Sequence, residues 1–348
     1  MKLYRYRTQI TNRGELCLIA CDSGRPLAKR ILKHLNTIIE KDSPGTKLTL
    51  VNSKEITFAN GELKTIIKEN IRGADVYIVQ AVDDPQSNKS INDNLMALLT
   101  AINAAYQSDA DSITAVCPQF PYSRQERKKT RESITAKQVA CFFETSGADR
   151  VITLDIHSEA IQGFFNKTKL EDLHASTPLI SFIKRKLNLK NLVVAGSDVG
   201  GAEKARYYSK RLHTSFAVVD KARDYSKQSV VESMRLVGDV SGKNVLIPDD
   251  MISTGGTIVN AAKLLKKHKA RDIYVACSLP FFNHPALELI EEAFKEGYIK
   301  CIMGTDAVYW GEQFLKKHPW YMEVSIAPLF AQVIYNINTR QSVSALLK

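Results

Sequence analysis

The sequence predicts an α/β protein of two tandem domains, each a mostly parallel sheet flanked by helices. Three observations predict it. Short apolar runs alternate with segments of helical period along the whole chain. The 348 residues suffice for two domains of ordinary size. There is also a faint internal repeat: Ala110, Ile113 and Cys117 return 160 positions later as Ala270, Ile273 and Cys277, each time where a helix leads into a strand. The division is expected at 1–172 and 173–348, with Leu170–Ala175 as the link and the last helix packing back on the first domain.

Taken in order, Leu16–Cys21 reads as a strand, Ser23-Gly24 as a turn and Pro26–Leu35 as a helix. Leu48–Val51 reads as a strand. Ile56–Glu62 (ITFANGE) reads as a loop holding an aromatic, an amide and a carboxylate, although Asn60-Gly61 is also a common hairpin turn. Val76–Val82 is a buried strand ending in Asp83-Asp84. Ile91–Tyr106 is a helix with Leu95, Leu98, Leu99 and Ile102 on one face. Strand Ile113–Cys117 leads into the basic stretch Pro121–Ser133, then helix Thr135–Thr145, then strand Val151–Ile156 running into His157. A basic run is commonly a solvated loop. Arg124 can nevertheless make forked contacts to phosphate, and Gln125 can reach a base or ribose.

In the second half, helix Pro178–Leu187 and strand Leu192–Ala195 open into Ser197-Asp198-Val199-Gly200-Gly201, ahead of helix Glu203–Leu212. A glycine loop at a helix start can cradle a diphosphate, and Asp198 can hold a magnesium ion. Strand Phe216–Val219 gives way to the polar stretch Asp220–Gln228, expected to be a mobile loop. The most informative stretch is Asn244–Ile258, NVLIPDDMISTGGTI. Here a buried strand, Val245–Ile247, is followed by the acid pair Asp249-Asp250, the small-residue loop Thr254–Thr257 and the helix Ile258–Lys267. The glycines let backbone N–H groups approach a phosphate, and the carboxylates can accept from two neighbouring hydroxyls. Strands Ile273–Cys277, Ile299–Met303 and Met322–Ile326 follow, with helices Pro285–Phe294 and Leu329–Ile337.

Composition is that of an ordinary globular protein, 44% hydrophobic and 24% charged. No apolar run reaches the roughly 18 residues of a membrane span, and Leu16–Ala20 is too short for the apolar core of a signal peptide. Six scattered cysteines lack zinc spacing, so reduced thiols in a cytoplasm are expected. The net charge of +11 fits polyanionic small substrates. Basic and aromatic residues do not interleave as in base-stacking surfaces, so no nucleic acid is expected. Neither G-x4-G-K-[ST] nor G-x-G-x-x-G occurs.

Five separated strings now fall in one order: FANGE, PYSRQERK, LDIHSEAIQGFF, SDVGGAEKAR and DDMISTGGT. Their order and spacing resemble those of the ribose-phosphate pyrophosphokinase (phosphoribosyl-diphosphate synthetase) family, over roughly Leu16 to Leu347. The resemblance implies two type I phosphoribosyltransferase-like domains, only the second keeping the sugar-phosphate loop, in a homo-oligomer, a hexamer or dimer. It implies transfer of the diphosphoryl group of MgATP to the 1-hydroxyl of ribose 5-phosphate. Carried over by motif, Phe58, Asn60 and Glu62 would surround adenine from a neighbouring subunit, and Arg124, Gln125 and His157 would hold ATP. His157 and Asp198 would meet Mg2+, and Lys221 and Arg223 would be catalytic. Asp249, Asp250, Ser253, Thr254, Gly255, Gly256 and Thr257 would hold ribose 5-phosphate.

Departures are visible. Pro248 precedes the acid pair, Ser253 stands where the motif carries a third Asp, Ala222 separates the catalytic pair, and 306–321 does not match the family pattern. A non-catalytic regulatory paralogue assembling with an active subunit is the alternative. The presence of Lys221, Arg223, His157 and Asp198 favours the enzyme. A transferase consuming phosphoribosyl diphosphate would need neither FANGE nor the first domain.

Overall fold

The computed structural model describes residues 13–223 and 232–346. The chain divides into two compact units, Met1–His174 with Ala307–Tyr309 and Ser325–Lys348, and Ala175–Asp306 with Trp310–Val324. In chain order the first holds β1 (Leu16–Ala20), α1 (Arg25–Asp42), β2 (Ser53–Thr57), β3 (Leu63–Ile67), β4 (Asp75–Val79), α2 (Ile91–Gln107), β5 (Ser112–Val116), α3 (Thr135–Ser146), β6 (Arg150–Leu154) and β7 (Lys169–Leu173). The second holds α4 (Ser176–Lys186), β8 (Leu192–Gly196), α5 (Ala202–Leu212), β9 (Ser215–Arg223), β10 (Glu232–Val237), β11 (Asn244–Ile252), α6 (Gly256–Lys267), β12 (Ile273–Pro280), α7 (Ala286–Lys295), β13 (Cys301–Thr305), α8 (Glu312–Lys317) and β14 (Tyr321–Val324). Helix α9 (Ala327–Asn338) returns to the first unit, where its Asn338 donates to Asp75 at the start of β4.

The first sheet is parallel, in the order β1-β4-β5-β6-β7. Its central strands β4 and β5 are buried along their whole length, because helices cover both faces of a parallel sheet. Helix α2 is started by Ser90 and Asp93, each accepting from the other's backbone N–H, a reciprocal cap that satisfies two otherwise orphaned donors. Three expectations change here. The stretch expected to link the halves is β7, five residues paired with β6. As the sheet's edge it has one neighbour, which suits its charged sequence. Leu48–Val51 makes one bridge, Leu18 to Leu50, rather than a strand. ITFANGE is the end of an antiparallel hairpin of β2 and β3, the turn reading of Asn60-Gly61.

The second sheet runs β10-β9-β8-β11-β12-β13-β14, parallel except for β10. From β8 the chain steps to β9 on one side and later to β11 on the other, so the strand order reverses between β8 and β11. Two elements outrun their sequence signal. Strand β9 continues through Arg223 because β10 supplies its ladder, Lys221 lying opposite Met234 and Arg223 opposite Glu232. Lys221 and Arg223 thus stand on strand backbone rather than in a loop. Their side chains, and residues 224–228 of the expected loop, lie outside what the structure describes. Strand β11 likewise continues through the acid pair to Ile252, paired with β12, so the carboxylates stand within the strand and not after it.

The repeat maps onto equivalent strands. β5 lies between β4 and β6 as β12 lies between β11 and β13. Ile113 pairs with Val76, as Ile273 pairs with Val245. Extending that register sets Gln80 beside Cys117, where the second sheet has Asp249 opposite Cys277. The counterpart of Asp249 is therefore Gln80.

Candidate active site

Ligands of open α/β sheets bind beyond the carboxyl ends of the strands, where the strand order reverses. In the second unit that place lies between β8 and β11. Pairing of these strands ends at Leu246 opposite Val194, so beyond it the two chains part. The loop after β8, Ser197–Gly201, and the end of β11 face each other across the opening. Ser197 Oγ lies 3.4 Å from Asp249 Oδ2. Asp198 Oδ1 accepts from the Gly201 N–H at 2.8 Å, which folds the glycine loop back on itself just before α5.

After β11 the chain turns through Ser253, Thr254 and Gly255 into α6. Gly255 has φ +79°, a left-handed conformation that side chains resist, and a Cβ there would also touch Ala286 at 3.4 Å. A Cβ on Gly256 would meet nothing within 4 Å, so there is open space beside the start of α6. Thr254 and Thr257 are exposed there. These donors and the helix dipole suit a phosphate. Asn283 Nδ2 donates to Ser253 Oγ at 3.1 Å.

Burial and its neighbour Asp250 push the Asp249 carboxyl well above the ordinary value of 3.8, while the Lys204 ammonium pulls the other way. The thiol of Cys277, buried beside the pair, is pushed up by burial and by both carboxylates. Two carboxylates held together at a strand end destabilise the empty fold and are ready acceptors for a ligand's adjacent hydroxyls. The consequence for stability has a definite sign. The folded chain keeps a proton on Asp249 that the unfolded chain has released, so stability falls as pH rises from about 3.8 through the raised value. Asp249→Asn should therefore melt higher than the parent at about pH 8, with the gap closing near pH 4. Equal gaps at both pH values would show that the residue's charge is not the cause.

The remaining candidates in this unit are Lys221 and Arg223, placed by backbone alone. In the first unit, Phe58, Asn60 and Glu62 form the exposed hairpin turn, where Phe58 N–H donates to the Glu62 carbonyl at 2.8 Å and Glu62 N–H to Asn60 Oδ1 at 3.2 Å. Arg124 and Gln125 are exposed in the loop beyond β5, and His157 is exposed just beyond neighbouring β6. The hairpin is carried on a separate two-stranded sheet, whose Thr65 bonds Thr100 of α2 at 3.1 Å.

Two residues of the second site escaped sequence reasoning: Lys204 and Asn283. Lys204 did leave a signal. A cation in the first turn of a helix opposes the helix dipole, which points to another employment for it.

A parallel α/β unit with paired carboxylates and a glycine loop at the point of strand reversal defines a protein that binds a phosphorylated, hydroxyl-bearing ligand. Comparisons with known proteins narrow this. Residues 16–147 match the N-terminal domain of ribose phosphate pyrophosphokinase, and residues 168–315 match the phosphoribosyl transferase domain. A ribose-phosphate pyrophosphokinase of Chlorobaculum tepidum is 41% identical over 330 residues, 94% of each chain. One from Corynebacterium ammoniagenes is 36% identical over 340 residues, 97% of this chain and 99% of its own. The crystal structure of phosphoribosylpyrophosphate synthetase from Mycobacterium smegmatis superposes with a TM-score of 0.79 at 31% identity, covering 93% of this chain and 98% of that one. The chain belongs to the ribose-phosphate pyrophosphokinase family.

Proposed function

We propose that the chain is an active ribose-phosphate pyrophosphokinase, transferring the diphosphoryl group of MgATP to the 1-hydroxyl of ribose 5-phosphate to give phosphoribosyl diphosphate and AMP. The observation that carries this is the union, in one crevice, of the Asp249-Asp250 pair, the Ser197–Gly201 loop and the donor-rich turn into α6. The acid pair accepts from the ribose hydroxyls, the Thr254–Thr257 loop holds the 5-phosphate, and the Ser197–Gly201 loop lies where diphosphate would be cradled. Relatives named for this enzyme cover nearly the whole chain, and no observation favours the regulatory alternative.

Such a transfer needs positioning and cations on the migrating charge more than a strong base. Lys221 and Arg223 supply that charge in this reading. Arg124, Gln125 and His157 hold ATP, while Phe58, Asn60 and Glu62 meet adenine in a second copy of the chain. The assembly is a homo-oligomer, a hexamer or dimer, working in the cytoplasm; among the described residues no helix is long and apolar enough to cross a membrane.

Asp198 and His157 are the residues that would hold magnesium. One oxygen of Asp198 is taken by Gly201, and among the described residues no three acidic, His or Cys side chains gather as a cage. Magnesium is often held by few protein ligands and mainly by substrate phosphates, and each of these two residues could supply one such ligand. When bound, the ion neutralises phosphate charge.

The reaction is tested directly by incubating the protein with MgATP and ribose 5-phosphate. AMP and phosphoribosyl diphosphate should appear in equal amounts; ADP, or no turnover, would refute it. The shared adenine site makes a second prediction. Lys221→Ala and Glu62→Ala chains, each inactive alone, should regain partial activity when co-assembled. Mixed oligomers without activity would exclude a site built from two copies.

A further inference from the structure

The turn that carries Ser253 rests on a segment outside the motif, Phe282–Ala286. Phe282 N–H donates to the Ile252 carbonyl at 3.0 Å, Asn283 Nδ2 donates to Ser253 Oγ at 3.1 Å, and the Gly255 position abuts Ala286. This segment has its own anchor. Phe282 is 3% exposed and has φ +47°, a backbone state that a bulky residue keeps only when its surroundings hold it there. Its ring lies 5.6 Å from those of Trp310, Trp320 and Tyr321 and 6.2 Å from Phe314. Trp310 Nε1 donates to the Pro280 carbonyl at 2.8 Å, and Trp320 Nε1 to Glu291 at 2.8 Å. The rings come from the stretch that departs from the family pattern.

We infer that Asn283 is a positioning residue for ribose 5-phosphate: it fixes the Ser253 hydroxyl as a donor aimed at the 5-phosphate, on a platform made by the aromatic residues of 310–321. The inference rests on the reading of this turn as the sugar-phosphate loop. The chemistry follows from the direction of one hydrogen bond. A hydroxyl has one hydrogen. Because Ser253 accepts from the Asn283 amide, its own hydrogen is left to donate. An aspartate at 253 would offer oxygens only and would set a negative charge beside a phosphate. With serine, the turn from Ser253 to Thr257 is a run of donors, and the two carboxylates at 249 and 250 are left to serve the sugar hydroxyls.

Asn283→Asp tests this with almost no change of shape. A carboxylate at 283 would take the Ser253 hydrogen for itself, reversing the bond. The Michaelis constant for ribose 5-phosphate, and its dissociation constant by calorimetry, should rise about tenfold, the usual effect of losing one hydrogen bond to a charged group. Asn283→Ala should match it, the constant for ATP should stay within twofold, and the melting temperature should hold. Combining Asn283→Ala with Ser253→Ala should be no worse than the worse single change, since both remove one interaction. Ser253→Asp should also move the sugar constant and spare that of ATP. Wild-type affinity in Asn283→Asp, additive effects in the double variant, or equal rises for both substrates would each overturn the assignment. The dissociation constant keeps the two questions apart. A parent that binds ribose 5-phosphate without turnover refutes the proposed activity, while an Asp variant that binds like an active parent refutes only the role of Asn283.

Discussion

Lys221→Ala should lower turnover about a thousandfold or more while leaving ATP affinity within a few-fold. Position 221 lies near the end of β9, opposite Met234 of β10. A cation carried there acts most usefully on charge that develops during transfer, and an interaction made only in the transition state appears in turnover and not in ground-state binding. Single-turnover measurement with ATP prebound separates the two. Collapse of ATP affinity with unchanged turnover of the bound nucleotide would make Lys221 a ground-state ligand and reassign catalysis to another group.

Gly24→Ala should cost the first unit more than about 4 kcal/mol and abolish soluble expression. A Cβ at Gly24 would stand 2.1 Å from the Val79 carbonyl oxygen and 2.6 Å from its carbon, both backbone atoms of the central strand β4. Neither can yield without breaking the ladder. Gly24 begins α1, and its N-terminal end lies this close to β4 only because no side chain intervenes. Gly163→Ala is the control. No atom lies within 4 Å of a Cβ built there, so its melting temperature should match the parent's. Normal folding of Gly24→Ala would show that α1 can lift off β4 without loss.

Much of this architecture was legible from residue patterns, and the failures have physical reasons. Buried parallel strands such as β4, β5 and β8 announced themselves because both faces are apolar. Strand β7 did not, because an edge strand with one neighbour can carry Lys169, Glu171 and Asp172 and so looks like a linker. The ends of β9 and β11 were hidden for a related reason: polar residues there are held by pairing with β10 and β12, and local pattern does not reveal a partner distant in sequence. In the site, Asp249, Asp250 and the glycine turn were visible because the chemistry is written contiguously. Asn283 was not. Its role depends on strand β12 flanking β11, which is a fact of topology.

Gln80 has a consequence for how such a chain could have come about. In the first unit the place matching Asp249 holds a fully buried amide whose Nε2 donates to the Asn94 carbonyl at 2.9 Å; Asn94 in turn receives the Ser23 hydroxyl at 3.0 Å and donates to the Val82 carbonyl at 3.1 Å. With the close contact at Gly24, these bonds tie together the residues at the carboxyl end of β4. Where the second unit holds a repelling pair of anions, the first holds a neutral amide that donates to its neighbour Asn94. The difference works as a ratchet. Placing a carboxylate at 80 would strand Asn94 and bury a charge before any ligand could repay it, so every single-step path to an acid pair there passes through a chain that folds poorly. The division of labour between the halves is in that sense locked in: an acid pair of this kind has its place only in the second half.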